Sequence, residues 1–364
     1  MKIKAAVTWG VGEDFKLEEV ELAPPKDDEI LVKIAACGVC HTDEAAKTQA
    51  IPVPLPAVLG HEGCGTVVEV GRSVKEFKPG DKVGMSFGFC GHCDNCLNAH
   101  QHACENFNAI NFGGVMADGT TRLSKDRKPI AAFFGQSAFA EYAVVSAASA
   151  VKLPEGIDLK LAAPLGCGIQ TGAGAVLNRL RPPFGSSIAV FGCGTVGMSA
   201  IMAAKIAGCD KIIAVGGNAA SLKLALELGA THTVNRKETK DIVGDIKAIT
   251  GGGVNYAIDT SGVADFVKKA LASCRFMGTA VVLGATGDVT FNIQQELMGD
   301  AKSLIGIVEG DAIPKLFIPK LLEYYRKGLF PFDKLIKFYP FEEINTAFKE
   351  SHEGKCIKAV LTME

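Results

Sequence analysis

The segment SSIAVFGCGTVGMSAIMAAKIAG at 186–208 restricts the fold of this chain more than any other stretch. An apolar run at 187–191 leads into Gly192, Gly194 and Gly197 in a G-x-G-x-x-G pattern, and a helix-forming run follows at 195–207. Between a strand and a helix, such a turn is a phosphate cradle. Its first glycine permits the tight turn, its second lets a pyrophosphate approach the backbone, and its third lets helix and strand pack closely. The helix N-terminus adds N–H donors and positive partial charge, so Thr195 and Val196 join the glycines as expected dinucleotide-binding residues.

Strand and helix keep alternating beyond this turn. Apolar strands are expected at 211–215, 254–259, 278–283 and 303–308, and an amphipathic helix at 219–228 carries Leu222, Ala225 and Leu226 on one face. Uniformly apolar strands separated by helices predict a doubly wound parallel sheet covered on both sides. The N-terminal part reads differently: short strands at 30–36, 65–70 and 82–85 alternate with Pro- and Gly-rich breaks at 51–56 and 78–81. After 308 come a helix at 314–327, a strand at 335–339, a helix at 341–351 and a strand at 357–361. The expectation is an α/β chain with a β-rich domain, an inserted doubly wound domain and a C-terminal return. A length of 364 residues suits about two domains of ~100–200 residues.

Composition closes other routes. The 38 Lys+Arg and 40 Asp+Glu give a net charge of -2, which argues against a nucleic-acid or membrane-surface partner. With 48% hydrophobic and 21% charged residues the chain can build cores and is not disordered. No apolar run reaches the ~20 residues that span a bilayer, and the start, MKIKAAVTWG, lacks a signal-peptide apolar core, so a cytoplasmic protein is expected. Twelve cysteines in a reducing compartment point to metal or catalytic use and away from a disulfide scaffold.

Their spacing divides them. Cys90, Cys93, Cys96 and Cys104 form C-x2-C-x2-C-x7-C, a strong pattern for a closed tetrahedral zinc site, with an iron–sulfur cluster the minor alternative. The nearby His92, His100 and His102 are expected to be solvated, since four thiolates fill the shell. A second set is dispersed: Cys40 in GVCHTD, His61 in GHEGCG and Cys167 in PLGCGIQTG. Two thiolates and an imidazole can hold zinc with an open fourth position, the arrangement of catalytic zinc. From spacing alone this inference is weak, because isolated cysteines are more often small core residues.

At the end of the second strand an NAD site usually presents a carboxylate to the adenine ribose. Here Gly216, Gly217 and Asn218 stand there, and Asp210 lies at the wrong end. Losing that acid removes a charge that repels a 2′-phosphate, so NADP(H) is favoured over NAD(H). No Arg or Lys follows at once; Lys223 is the candidate partner.

GHEGCGTVVEVGRSV (60–74), the four-cysteine lobe and GCGTVG resemble the zinc-containing medium-chain dehydrogenases/reductases over essentially the whole chain. FFGQSAFAEYA (133–143), PLGCGIQTGAGAVLN (164–178), GIVEGD (306–311) and FDKLIKFY (332–339) resemble most the bacterial aryl-alcohol, or benzyl alcohol, dehydrogenases. The resemblance implies a GroES-like catalytic domain at 1–168 and 309–364, with a structural zinc lobe at 86–108, and a Rossmann domain at 169–308. It implies two zinc ions per subunit: a structural one on the four-cysteine lobe and a catalytic one on Cys40, His61 and Cys167. It also implies a carboxylate near the catalytic zinc in Glu62, and an acid orienting His61 in Asp43. By the same resemblance Thr42 takes the alcohol proton, His41 and Lys358 meet the cofactor pyrophosphate, and Thr171 meets the nicotinamide. Ala45 stands where many relatives carry a proton-relaying histidine. A homodimer or homotetramer is implied, with the strand near 278–283 as its interface.

Ile51, Phe87 and Phe89 are candidate lining for an apolar substrate pocket; as core aromatics they would be equally at home. The expected activity is reversible hydride transfer between an aromatic or other hydrophobic primary alcohol, its aldehyde and NAD(P). The alternatives are a dehydrogenase for a polyol or a glutathione-linked aldehyde, and a non-catalytic zinc binding module, which the complete Cys/His/Cys set disfavours.

Overall fold

A computed structural model of the chain describes residues 1–363, which form two compact units. The first contains Met1–Cys167, Ile313–Lys320 and 333–363, and the second Gly168–Ala312 with Leu321–Phe332. Among the described residues no helix is long and apolar enough to cross a membrane.

The first unit opens with β1 (Lys2–Thr8), β2 (Lys16–Leu22), β3 (Glu29–Gly38), β4 (Ala57–Val58), β5 (Gly63–Val70) and β6 (Lys82–Met85). It continues with β7 (Leu123–Lys125), β8 (Lys128–Ile130), β9 (Tyr142–Ser146) and β10 (Ala150–Lys152). One sheet runs in the order β4-β1-β2-β7-β8. Its strand β2, KLEEVEL, turns Val20 and Leu22 into the core and Glu19 and Glu21 outward, the period-two pattern of a half-buried strand. The other sheet is built on β3, whose EILVKIAACG is buried along most of its length and pairs antiparallel with both β5 and β9.

The second unit is a parallel sheet of β11 (Ser187–Phe191), β12 (Lys211–Gly216), β13 (His232–Asn235), β14 (Val254–Asp259), β15 (Cys274–Val282) and β16 (Ser303–Gly306). Their order is β13-β12-β11-β14-β15-β16, every pair parallel. The order reverses beside β11, and there the glycine turn lies, as in doubly wound folds generally. Helix Thr195–Ile206 follows it and buries Met198, Ile201 and Met202. The short, half-polar β13 lay outside the sequence reading, because four residues reading His-Thr-Val-Asn carry no apolar run.

The return segment supplies β17 (Ile336–Pro340) and β18 (Lys358–Thr362), which extend the β3 sheet by parallel pairing with each other and antiparallel pairing of β18 with β3. The strand expected at 278–283 starts four residues earlier, at Cys274, and is hydrogen-bonded on both sides, to β14 and β16. It therefore offers no free edge. The open edge on that side of the sheet is β16.

Candidate metal and cofactor sites

Three breaks in the first unit bring the dispersed set together. Cys40 follows β3 and precedes helix His41–Lys47, His61 and Glu62 lead into β5, and Cys167 follows the turn Ala163–Gly166. One ligand atom from each of Cys40, His61, Glu62 and Cys167 lies within 4.8 Å of the others.

Asp43 organises the set. Fully buried, it accepts the Cys40 N–H at 3.0 Å through Oδ2, while its Oδ1 accepts the Gly60 N–H at 3.1 Å and faces His61 Nδ1 at 2.9 Å. That contact assigns the proton to Nδ1 and leaves Nε2 with its lone pair. Nε2 is buried and has no hydrogen-bond partner. An orphaned buried nitrogen facing two thiols is unfavourable in itself and suits a tetrahedral soft cation, so the residues present fit zinc. Burial pulls the His61 imidazole down, but the Asp43 carboxylate outweighs it and holds the group well above the usual histidine range. Cys167 and His61 hold the Cys40 thiol well below its usual range against burial.

Glu62 Oε2 pairs with Lys358 Nζ at 2.5 Å, and both are buried. Burial raises the Glu62 carboxyl to about 7, with Lys358 opposing. The Lys358 ammonium also donates to the Val39 carbonyl at 2.9 Å. Lys358, expected at the pyrophosphate, is 2% exposed and stands as counter-charge to Glu62. His41, expected there too, is exposed at the first position of its helix. Thr42 Oγ1 lies 3.6 Å from Cys40 Sγ.

Two polar residues that the sequence did not single out join the ligand-bearing segments. The Gln136 carboxamide accepts the Gly63 N–H at 3.2 Å and donates to the Ser86 carbonyl at 3.1 Å; the Ser86 hydroxyl donates to the Gly166 carbonyl at 2.7 Å. His61–Glu62 and Cys167 are thereby tied through one buried chain. No motif announces it, because the partners are backbone groups far apart in sequence.

Aromatic rings surround His61. Phe134 stacks on its imidazole with centroids 4.5 Å apart, and Phe133 meets it edge-on at 5.5 Å. Phe112 touches both phenylalanines, Phe107 touches Phe112, and Phe87 touches Phe107 at 5.7 Å. Of the candidate pocket residues, Phe87 is 1% exposed inside this cluster, Phe89 is half-buried against the same core, and Ile51 is half-buried beyond helix His41–Lys47. Phe134, at φ +53, and Phe133 are the aromatics in contact with the ligand set, and no motif in the sequence marks either as such.

The second cluster is local. Cys90, Cys93, Cys96 and Cys104 converge within the same 4.8 Å limit, with no histidine in the group. The Cys93 N–H points at Cys90 Sγ and the Cys90 N–H at Cys104 Sγ, both at 3.3 Å. Burial opposes it, but the backbone N–H groups of His92 and Cys93 hold the Cys90 thiol at about 6, suiting it to bind as thiolate. The remaining Cys37, Cys64, Cys193, Cys209, Cys274 and Cys356 are free and belong to neither group.

In the second unit, Gly192 sits at φ +105, and a Cβ on Gly197 would fall 1.9 Å from the Gly192 carbonyl oxygen. The space beside Gly194 is open to 4 Å, so a pyrophosphate can approach the backbone there. Thr195 and Val196 begin the helix behind it. Thr171 Oγ1 lies 3.5 Å from Glu309 Oε2. Gly216 ends β12, and Asn218 caps the next helix by accepting the N–H groups of Ala220 and Ser221.

Residues 26–155 match the alcohol dehydrogenase GroES-like domain, and residues 195–323 the family described as zinc-binding dehydrogenase. Geraniol dehydrogenase of Castellaniella defragrans is 44% identical over 362 residues, covering 98% of this chain and 97% of that protein. The crystal structure of benzyl alcohol dehydrogenase from Acinetobacter calcoaceticus superposes with a TM-score of 0.96 at 42% identity over 100% of both chains. An alcohol dehydrogenase zinc-binding domain protein from Burkholderia ambifaria gives 0.97 at 46%, over 100% of this chain and 99% of that one. The GroES-like fold, the parallel-sheet unit and the two thiol-rich clusters together define a zinc-dependent oxidoreductase. The chain belongs to the zinc-dependent medium-chain alcohol dehydrogenases.

Proposed function

We infer that the enzyme interconverts apolar primary alcohols and aldehydes whose carbinol carbon is attached to unsaturated carbon, using NADP(H) in preference to NAD(H). The observation that carries the substrate class is the aromatic cluster ending on His61 through Phe134: flat, apolar rings favour flat, apolar ligands. Benzyl alcohol and geraniol, named in two relatives, share that unsaturated neighbour to the carbinol. A polyol would leave its hydroxyls unpaired against such a wall.

Cys40 Sγ, Cys167 Sγ and His61 Nε2 hold the catalytic zinc, and the four-cysteine lobe holds the structural one. Bound in these places, zinc supplies a Lewis acid that strengthens the alcohol as an acid, and the nicotinamide supplies the hydride acceptor. Asp43 fixes the His61 tautomer. Thr42 Oγ1 accepts the proton the alcohol gives up while its own hydroxyl proton passes on to water, because Ala45 cannot carry it onward. Glu62, neutralised by Lys358, stands beside the ligands as a reserve carboxylate. His41 and Lys358 are the basic residues for the pyrophosphate, Gly192, Gly194, Thr195, Val196 and Gly197 form its glycine turn, and Thr171 is the nicotinamide contact. NADP(H) is supported by Gly216 and Gly217, which put no carboxylate where a 2′-phosphate would lie.

The enzyme works in the cytoplasm, a setting that suits cysteines none of which forms a disulfide among the described residues. It assembles as a homodimer or homotetramer, for which the open edge of β16 and the exposed Phe276 and Met277 are the supporting features.

The test is a panel of benzyl alcohol, geraniol, a polyol and S-hydroxymethylglutathione, each assayed with NADP+ and NAD+ in the wild type and in Gly216→Asp. The unsaturated alcohols should give the highest kcat/KM, and the variant should shift preference towards NAD+. A best rate on the polyol, or a wild type strongly preferring NAD+, contradicts the corresponding half.

A further inference from the structure

Gly216 and Gly217 explain why an acid is missing, but not what would attract a 2′-phosphate. The register of the sheet supplies an answer. β12 and β13 pair in parallel with Gly216 opposite Asn235, so the residue after Asn235 arrives beside the glycines although it is far away in sequence. That residue is Arg236.

Three observations fix its side chain. The Arg236 N–H donates to the Gly216 carbonyl at 2.8 Å, which clamps its backbone to the strand end. Its guanidinium stem then lies across Gly217: a Cβ at 217 would sit 2.7 Å from Nε and 3.2 Å from Cζ. Beneath it, the ring of Phe266 has its centroid 5.7 Å from Cζ, a cation–π contact that orients the planar group. The side chain is exposed, and it forms no ion pair with any described carboxylate. Glu238, the nearest acid in sequence, accepts instead from Asn235 Nδ2 at 2.6 Å.

On the Gly216 side no carboxylate competes for the ligand. A Cβ there would meet Cys193 Sγ at 2.9 Å and Leu222 Cδ2 at 3.2 Å, ends of side chains that must turn aside before an acid could read a ribose diol. What remains at the strand end is a preoriented, unneutralised guanidinium over a bare glycine.

Resting on the NADP(H) reading above, we propose that Arg236 is the residue that binds the 2′-phosphate of the cofactor and sets its preference, with Gly217 conserving the space in which the guanidinium lies. A guanidinium binds phosphate through paired N–H donors, which an ammonium cannot reproduce. Lys223, the candidate from sequence, is not required.

The experiment is a fluorescence titration of the zinc-loaded enzyme with NADPH and NADH, read as the ratio of the two dissociation constants. Calorimetry of 2′,5′-ADP against ADP supplies a readout independent of turnover. The wild type should favour NADPH and 2′,5′-ADP. Arg236→Ala should lower both preferences by about 10- to 100-fold, the size of a charged hydrogen-bonding partner lost, and Arg236→Lys should fall between. Gly217→Ala keeps the cation but displaces it, and should also lower the ratio. If the wild type favours NADPH and Arg236→Ala leaves the ratio unchanged, the assignment of Arg236 fails while the cofactor reading stands. If the wild type binds NADH as tightly as NADPH, the cofactor reading fails and the assignment with it.

Discussion

The two thiol-rich clusters of the first unit solve one chemical problem by opposite means. The four-cysteine lobe draws its ligands from residues 90–104 and orients them with backbone N–H groups of the same loop. The Cys40–His61–Cys167 set is gathered from across the unit and depends on side chains that never touch a metal: Asp43 between Cys40, Gly60 and His61, and Gln136 with Ser86 between Gly63 and Gly166. A site assembled from one loop can only close on itself. A site assembled from three segments can leave one direction open, provided a buried polar framework keeps the ligands apart and aimed.

Variants should separate the two clusters. Cys40→Ser should abolish turnover while the thermal midpoint stays near that of the wild type, because the fold does not depend on that thiolate; calorimetry beside an alcohol oxidation assay checks both. Cys93→Ser should do the reverse. Loss of a few kcal/mol there lowers the midpoint by roughly 5–10 °C, at about 2–4 °C per kcal/mol for a domain of this size, with kcat per folded molecule largely kept. Asp43→Asn preserves the shape but not the charge on His61 Nδ1. It should weaken catalytic zinc by about 10–100-fold, measurable by competition with a chromogenic chelator, and leave the four-cysteine lobe loaded. Gln136→Leu should cost about 1–3 kcal/mol of stability and loosen zinc less than Asp43→Asn does; urea unfolding and the same chelator assay read it. An effect of Gln136→Leu as large as that of Asp43→Asn would mean that the framework, and not the histidine tautomer, limits metal affinity.

The same contrast decides what could be read from the sequence. The lobe was legible because its ligands are consecutive and its geometry is local. The glycine turn was legible because Gly192 at φ +105 and the contact beneath Gly197 exclude other residues. The dispersed set needed the resemblance to relatives, since nothing in the spacing of Cys40, His61 and Cys167 distinguishes them from core thiols. Gln136, Ser86, Phe134 and Arg236 were not legible at all. Each acts through a neighbour that only the sheet register or a packed turn supplies, as Arg236 reaches Gly217 through the pairing of Gly216 with Asn235. Lys358 came from the resemblance alone; its buried pairing with Glu62 was invisible in the sequence because β18 and the residues before β5 are far apart in the chain.

The central claim is that one cluster is catalytic and the other structural. It is tested most directly by counting zinc per chain in wild type, Cys40→Ser and Cys93→Ser while measuring benzyl alcohol oxidation on the same samples. Two zinc ions are expected in the wild type, one for each cluster, and one in each variant, with activity lost only in Cys40→Ser. Full activity in Cys40→Ser, or activity lost in a folded Cys93→Ser that retains its other zinc, would contradict it.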